Sequence, residues 1–405
     1  MTLFDAFRYN GKRALVVGGA TGMGASVAEL VQDAGAEVVV MDYAEVTLPG
    51  VKAIHVNLAD KASIDAAVDE CGGPVHALFS CAGVADGTPG IERINFIGHR
   101  HLIDRLLAGD MLPRGSAIGM ISSAAGFGWQ ANLEVLQEYL DMTDFDGAVR
   151  WAEEHGKADY MWSKQAINTY VAREAVSMLK RGIRINAICP GPTDTPLAQA
   201  NADLWLTFGA DYREELGVDA SSPLDQAYPL VFLSSDAAHV ISGITLVTDI
   251  GYFAAGMGWE ANLAQLNELL DTPDFDSAVA WVEANGKADY MSMKQAVCAY
   301  VAREALPLLK RGIRINAICP GPTDTPLAQD NKETWLGFAA DYREVAGTEP
   351  STPMEQAYPL IFLCSDAAKA ITGITVVSDA GYFSAGLSGS FPAATGIAQF
   401  LTGKM

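Results

Sequence analysis

The chain has 405 residues, of which 50% are hydrophobic, 19% are charged and 39 are glycine, a balance that builds a packed globular core and excludes a disordered or fibrous chain. Its formal net charge of −22 sets it against nucleic-acid phosphate and anionic membrane surfaces, so neither is expected as a partner. No run of about twenty apolar residues offers a membrane span, and the opening MTLFDAFRYNGKRALVVGG has no cationic leader or cleavage site, so a cytoplasmic protein is expected.

In chain order, short apolar runs at 14–17, 38–41, 53–56, 77–79 and 117–121 alternate with helical patterns at 25–34, 62–68 and 94–107. Such alternation predicts a parallel sheet covered on both faces. Between the first strand and the first helix, GGATGMG sets Gly18, Gly22 and Gly24 where a backbone can approach a pyrophosphate at a helix N-terminus. Asp42 closes the next strand, with no Arg or Lys directly after it. A carboxylate there accepts both ribose hydroxyls of NAD and repels the extra phosphate of NADP. Further on, YMWSK places Tyr160 and Lys164 on one face of a helix expected over 159–179. An ammonium beside a phenol lowers the phenol's pKa from its usual value of about 10.

From Gly126 the chain repeats itself. KRGIRINAICPGPTDTPLAQ, residues 180–199, recurs unchanged at 310–329, and the offset of 130 residues holds from 126–255 to 256–385. Residues 386–405 are left as a Gly/Ser/Ala-rich tail that could also cover a neighbouring subunit. The glycine turn, Asp42 and the strand ending in ISSAAG occur once. The expected architecture is therefore α/β: a Rossmann-like doubly wound parallel sheet over 1–255, plus a duplicated C-terminal half-domain over 256–385. Repeat one follows Ser123 directly, whereas repeat two places Phe253 at the position of Ser123 and Met293 at that of Ser163. Looping out repeat one costs a few kcal/mol in closure entropy, so repeat one is expected to complete the sheet. The spare half offers strands at 313–319 and 374–378, and is expected to pack as a truncated pseudo-subunit or to swap into another chain.

Six segments, GGATGMG, SCAG, INFIGHRHL, GMISSAAG, YMWSK and CPGPTDTP, occur in that order between Tyr9 and Tyr252. Together they resemble the short-chain dehydrogenase/reductase family, and within it the bacterial 3α-hydroxysteroid and coniferyl-alcohol dehydrogenases. The resemblance implies an NAD(H)-dependent oxidoreductase interconverting a secondary or aromatic/allylic alcohol and its carbonyl, working as a dimer or tetramer on a small apolar alcohol or ketone. Carried over by position, Tyr160 is the acid/base, Lys164 tunes it and holds the nicotinamide ribose, Ser123 binds the substrate oxygen, and Asn95 supports a proton path. The cofactor positions are Gly18, Thr21, Gly22, Met23, Gly24, Asp42, Asn57, Leu58, Cys81, Ala82, Gly83, Tyr160, Lys164, Pro190, Gly191, Thr193 and Thr195. Cys81 stands where the family has asparagine, and Asn57 where it commonly has aspartate.

The stretch from Ser123 to Tyr160 is longer than the family's usual spacing. The insertion, about 129–159, carries helical periodicity, with Asp144 as an N-cap and Gly156 as a stop, and either walls the substrate pocket or fills a subunit surface. Trp129, Trp162, Trp205, Leu206 and Phe208 flank the pocket in this reading, or are simply packed. The six cysteines lack CxxC spacing and read as reduced buried thiols; His99 and His101 read as surface residues, with no metal site. The rival readings are a catalytically inactive nucleotide-binding or interaction protein left by partial duplication, and a sugar-nucleotide epimerase or dehydratase.

Overall fold

The computed structural model describes residues 4–253 and 263–401. The junction between the repeats, with Trp259, and the end of the tail lie outside the described residues. Among the described residues nine strands form: β1 (Arg13–Val17), β2 (Glu37–Asp42), β3 (Lys52–His55), β4 (Ala77–Ser80), β5 (Ala117–Ile121), β6 (Arg184–Pro190), β7 (Thr245–Thr248), β8 (Ala317–Pro320) and β9 (Thr375–Ser378). The first seven make one sheet in the order β3-β2-β1-β4-β5-β6-β7, every pair parallel. β8 and β9 pair in parallel as a separate two-stranded sheet.

The larger sheet carries α1 (Gly22–Asp33), α2 (Lys61–Cys71), α3 (Gly98–Ala108), α4 (Leu133–Asp141), α5 (Phe145–Glu154) and α6 (Tyr160–Lys180). Three short helices follow β6, α7 (Pro196–Gln199), α8 (Ala202–Trp205) and α9 (Ala210–Leu216), and then α10 (Pro223–Ser234). The second repeat supplies α11 (Leu263–Leu270), α12 (Phe275–Ala284), α13 (Tyr290–Leu309), α14 (Pro326–Asp330), α15 (Lys332–Trp335), α16 (Ala340–Ala346) and α17 (Pro353–Cys364). The chain ends in α18 (Tyr382–Leu387) and α19 (Pro392–Leu401).

Successive residues of a strand face opposite sides, and the core divides accordingly. Leu15, Val39, Leu78 and Ile118 pack with Ile64, Phe96, Ile103 and Tyr170, under α2, α3 and α6. Val16, Val40 and Phe79 pack with Val27, Val31 and Leu230, under α1 and α10. Burying both faces is why these strands read as unbroken apolar runs rather than alternating ones. The pattern at 94–107 resolves into a π-helical turn, Arg93–Ile97, leading into α3. The wider turn sits where Asn95 is fully buried.

The insertion folds as α4 and α5, with Asp144 capping α5 through Gly147. Leu136, Tyr139, Phe145, Val149 and Trp151 join the core beside α3 and α6, where Tyr139 and Trp151 stack with ring centroids 5.0 Å apart. It extends the core rather than lying on it. The tail folds too: α18 and α19 turn back on their own chain, where Ser388 Oγ donates to Ala172 O of α6 and Gln137 Nε2 donates to Ser388 O.

The two repeats fold differently for one reason, the partner strand β5. Residues 184–188 pair with 117–121, so β6 runs seven residues; beside the second copy no strand stands there among the described residues, and only Ala317–Pro320 forms a strand, short of the expected 313–319. The reading of six buried thiols fails on the same ground. Cys71 and Cys189 are buried, but Cys319 and Cys364 are exposed.

Arg184 and Arg314 show what the missing layer is worth. Arg184 donates to Leu233 O, Ala238 O and Ser235 O at 2.5, 3.1 and 2.7 Å and is 6% exposed. Arg314 repeats those bonds to Leu363 O, Ala368 O and Ser365 O but is only half-buried. Burial holds the Arg184 guanidinium down to about 10, and removing it strands three buried carbonyls. Arg184→Met is expected to cost about 3 kcal/mol and Arg314→Met less than half of that; urea unfolding of the two variants side by side checks the difference.

Candidate functional site

The parallel sheet carries β1, β2, β4, β5 and β6 in one direction, so their C-terminal ends open on one edge, the usual ligand edge of such sheets. The glycine turn follows β1. Gly18 has φ +86°, and a Cβ there would lie 2.3 Å from Ala82 N; a Cβ on Gly24 would lie 1.9 Å from Gly18 O. Nothing but glycine lets the turn close this tightly. Thr21 is the N-cap of α1 but makes no side-chain capping bond, and the first turn, with Gly22, Met23 and Gly24, holds no acidic residue. These N–H groups are left for an anion, so the cradle fits a dinucleotide pyrophosphate.

Asp42 ends β2 with both carboxylate oxygens engaged: Oδ2 accepts from Ala20 N–H at 2.8 Å, and Oδ1 from Ala44 N–H at 2.9 Å. The carboxylate thereby ties the glycine turn to the end of β2. Asn57 braces its own turn, its Oδ1 accepting from Ala59 N–H and its N–H donating to Ser63 Oγ, while the Leu58 side chain lies in the core. Cys81, Ala82 and Gly83 leave β4, with the Cys81 and Ala82 N–H groups both donating to Val17 O. Burial pushes the Cys81 thiol up, so it stays a neutral packing group.

Pro190 ends β6. A Cβ on Gly191 would lie 2.8 Å from Asp249 Cβ, Thr193 Oγ1 donates to Gly191 O, and Thr195 caps α7 through Ala198 N–H. A Cβ on Gly22 would sit 3.6 Å from Thr195, so this segment closes against the glycine turn. Asn95 latches the loop after β4: its Oδ1 accepts from Val84 N–H at 2.8 Å and its Nδ2 donates to Val84 O at 3.0 Å.

Ser123 follows β5, its Oγ accepting from Ala125 N–H at 3.2 Å. Tyr160 opens α6 under its N-cap Asp159. Burial pushes the phenol up to about 12; the Ser123 side chain, close enough to interact with it, opposes that shift, and the Asp86 carboxylate adds to it. Here the structure departs from the expectation that Lys164 lowers the phenol. Lys164 Nζ stands 5.4 Å from the Tyr160 ring centroid and donates instead to Ile121 O at 2.9 Å. Burial holds that ammonium down to about 8.

Sequence reading missed two neighbours of these groups. Asp86 Oδ1 accepts from Tyr160 N–H at 2.6 Å; as a single acid in a loop it carries no signal of its own. His99, read as a surface residue, is fully buried, with Nε2 3.0 Å from Ala82 O. Burial holds its imidazole down to about 4, so it is neutral, with the Nε2 proton on Ala82 O. His101 is not free on the surface either, since it pairs with Asp65 at 2.8 Å. Of the aromatics, Trp129 and Trp162 belong to the core, whereas Trp205 lies against Tyr160 with centroids 5.0 Å apart. Phe208 packs with Tyr252 and Phe253 beside a shallow cleft bounded by Gly191, Tyr212, Asp249 and Ile250.

Comparison with known proteins points the same way. The family model described as enoyl-(acyl carrier protein) reductase matches the chain twice, at residues 141–253 and 275–383. The cis-4-hydroxycyclohexanecarboxylate dehydrogenase of Sinomonas cyclohexanicum is 31% identical over 255 residues, which span 60% of this chain and 96% of that protein. The coniferyl-alcohol dehydrogenase of a Pseudomonas species is 25% identical, covering 59% and 96%; the 3-alpha-hydroxysteroid dehydrogenase/carbonyl reductase of Comamonas testosteroni is 27% identical, covering 58% and 95%. Among solved structures, a 3-alpha-hydroxysteroid dehydrogenase from Pseudomonas sp. B-0831 complexed with NADH aligns with a TM-score of 0.49 and 28% identity, over 58% of this chain and 94% of that one. Among the described residues, no helix is long and apolar enough to cross a membrane.

Proposed function

Since the chain belongs to the short-chain dehydrogenase/reductase family, we propose that it is an NAD(H)-dependent cytoplasmic oxidoreductase. It interconverts a secondary or aromatic/allylic alcohol and its carbonyl. The observation that carries this reading is the meeting of Ser123, Tyr160 and Lys164 beside the glycine turn, at the edge where β1, β5 and β6 end. A bound nicotinamide dinucleotide supplies the hydride donor or acceptor.

The chain's own residues handle the oxygen. Tyr160 holds its proton at neutral pH, its pKa raised to about 12, and gives it to the substrate oxygen as the carbonyl is reduced. In the reverse direction the phenolate takes the proton from the alcohol. Ser123 Oγ donates a hydrogen bond to that same oxygen and stabilises the charge that develops on it. Lys164, anchored on Ile121 O, presents its ammonium to the ring side of Tyr160 and to the ribose position. Asn95 orders the Val84 turn behind Gly83, which keeps the loop after β4 clear of the nicotinamide position. Trp205, Phe208 and Tyr252 wall the substrate side with aromatic surface, which suits a ring-bearing or bulky apolar alcohol.

The test is NADH formation across a panel of cyclic, aromatic, terpenoid and steroid alcohols, run in parallel with NADP. Turnover of at least one ring alcohol with NAD, and at least tenfold lower kcat/KM with NADP, is the expected result. Calorimetric NAD binding with no turnover on any alcohol or ketone of the panel overturns the enzymatic reading.

A further inference from the structure

The second copy of the C-terminal half does not dangle. It packs against the first copy, and it does so reciprocally. Ile250 N–H donates to Ala370 O at 3.0 Å, and Ala380 N–H donates to Val240 O at 2.9 Å. Each bond maps onto the other under the 130-residue offset. Further contacts at this face obey the same exchange. Phe232 of α10 and Phe362 of α17 are equivalent positions, and their rings stack face to face, 4.0 Å apart at 8°. A Cβ on Gly251 would lie 2.9 Å from Thr372 Cγ2, and one on Gly381 would lie 3.0 Å from Ser242 O. Within each repeat the segment that makes these contacts is held alike: Tyr212 Oη donates to Ile250 O, and Tyr342 Oη donates to Ala380 O.

A contact in which residue i meets j' and j meets i' is the signature of a two-fold interface between identical surfaces. Here both surfaces sit on one chain. The buried set at this face, Phe232, Val240 and Ile241 with Phe362, Ile371 and Ile374, is continuous with the core under the sheet. The repeat is lopsided elsewhere: Phe145 is in the core but its copy Phe275 is 79% exposed, and among the described residues no strand of the β5 kind borders β8. What the duplication has kept intact is the face that meets repeat one.

We propose that repeat two is a built-in partner subunit: it occupies, within the same chain, the self-complementary α10/β7 face that a second copy of the catalytic half would otherwise cover. The contact also gives the candidate site a fixed wall, since Ile250 borders the cleft beside Gly191 and its N–H is held by Ala370 O, with Gly251 next to it against Thr372.

Two measurements on the full chain test this without reference to activity. In a chain with exposed Cys319 and Cys364 changed to Ser, Phe232→Cys and Phe362→Cys are joined by a short thiol cross-linker and run on a denaturing gel. The product expected has the mass of one chain; a product of twice that mass, or no link at all, overturns the proposal. Sedimentation velocity of Phe362→Asp/Ile371→Asp is expected to show new, concentration-dependent pairing of chains, because the repeat-one face is uncovered. Adding Phe232→Asp/Val240→Asp is expected to abolish that gain. No gain in the first variant, or a gain that survives the added changes, counts against the built-in partner.

Discussion

Tyr160→Phe is expected to lower turnover by about 10³-fold or more, with cofactor binding held within a few-fold, while Tyr290→Phe leaves turnover unchanged. The two tyrosines are local twins. Lys164 Nζ stands 5.4 Å from the Tyr160 ring and Lys294 Nζ 5.2 Å from that of Tyr290; Trp205 and Trp335 lie 5.0 and 5.5 Å from the respective rings. Their surroundings are not twins. Tyr160 has Ser123 beside it and the end of β5 behind Lys164, whereas Tyr290 is 61% exposed and its copy of the Ser123 position, Phe253, lies on the other repeat, packed against Phe127. Removing one hydroxyl leaves the packing of the ring in place, so the loss should fall on kcat rather than on stability. The phenol also sets a pH signature. With its pKa raised to about 12, alcohol oxidation in the parent enzyme should climb from pH 7 to 10, and that slope should vanish in Tyr160→Phe. Steady-state kinetics of both variants with calorimetric cofactor titration decides it; an active Tyr160→Phe with a dead Tyr290→Phe would show that repeat two completes the site.

The second large effect is on cofactor choice. Asp42→Ala is expected to lower kcat/KM for NAD by about 10- to 100-fold, on the order of the loss of one or two charge-assisted hydrogen bonds, and to narrow or invert the preference over NADP. The carboxylate does two jobs that a second variant separates. It accepts from Ala20 N–H and Ala44 N–H, which shapes the turn, and in the proposed function its charge selects for the ribose hydroxyls of NAD. Asp42→Asn retains an acceptor for one of those N–H groups while removing the charge. If charge governs the preference, both variants relax it, and Asp42→Ala lowers the melting temperature more than Asp42→Asn. A ratio of NAD to NADP kcat/KM that stays put in both variants refutes the role given to Asp42.

Much of the site was legible because its residues are tied to strand ends. Gly18, Asp42, Cys81, Ser123 and Pro190 each follow or close an apolar run, and parallel pairing brings such ends to one edge whatever the intervening loops do. Asp86 and His99 were not legible, since each takes its place by a contact across the fold, Asp86 with Tyr160 N–H and His99 with Ala82 O; Trp205 was expected to flank the pocket, but only the fold sets it against the Tyr160 ring. The pKa of Tyr160 was misjudged for a related cause. A Tyr-x-x-x-Lys spacing announces a cation near a phenol, but burial, which the spacing does not contain, outweighs it.

The repeated twenty residues make the division plain. In both copies the sequence alone dictates the local bonds: Thr195 and Thr325 cap the helices that begin at Pro196 and Pro326, Thr193 and Thr323 donate to Gly191 O and Gly321 O, and Gln199 and Gln329 reach Asp194 and Asp324. These contacts span a few residues, so identical letters repeat them. Tertiary structure alone decides that Arg184–Pro190 is a buried strand while its copy is extended only over Ala317–Pro320, and that Cys189 is buried while Cys319 is exposed. A strand needs a neighbour to satisfy its backbone and a layer to cover its side chains, and the described residues hold only one β5.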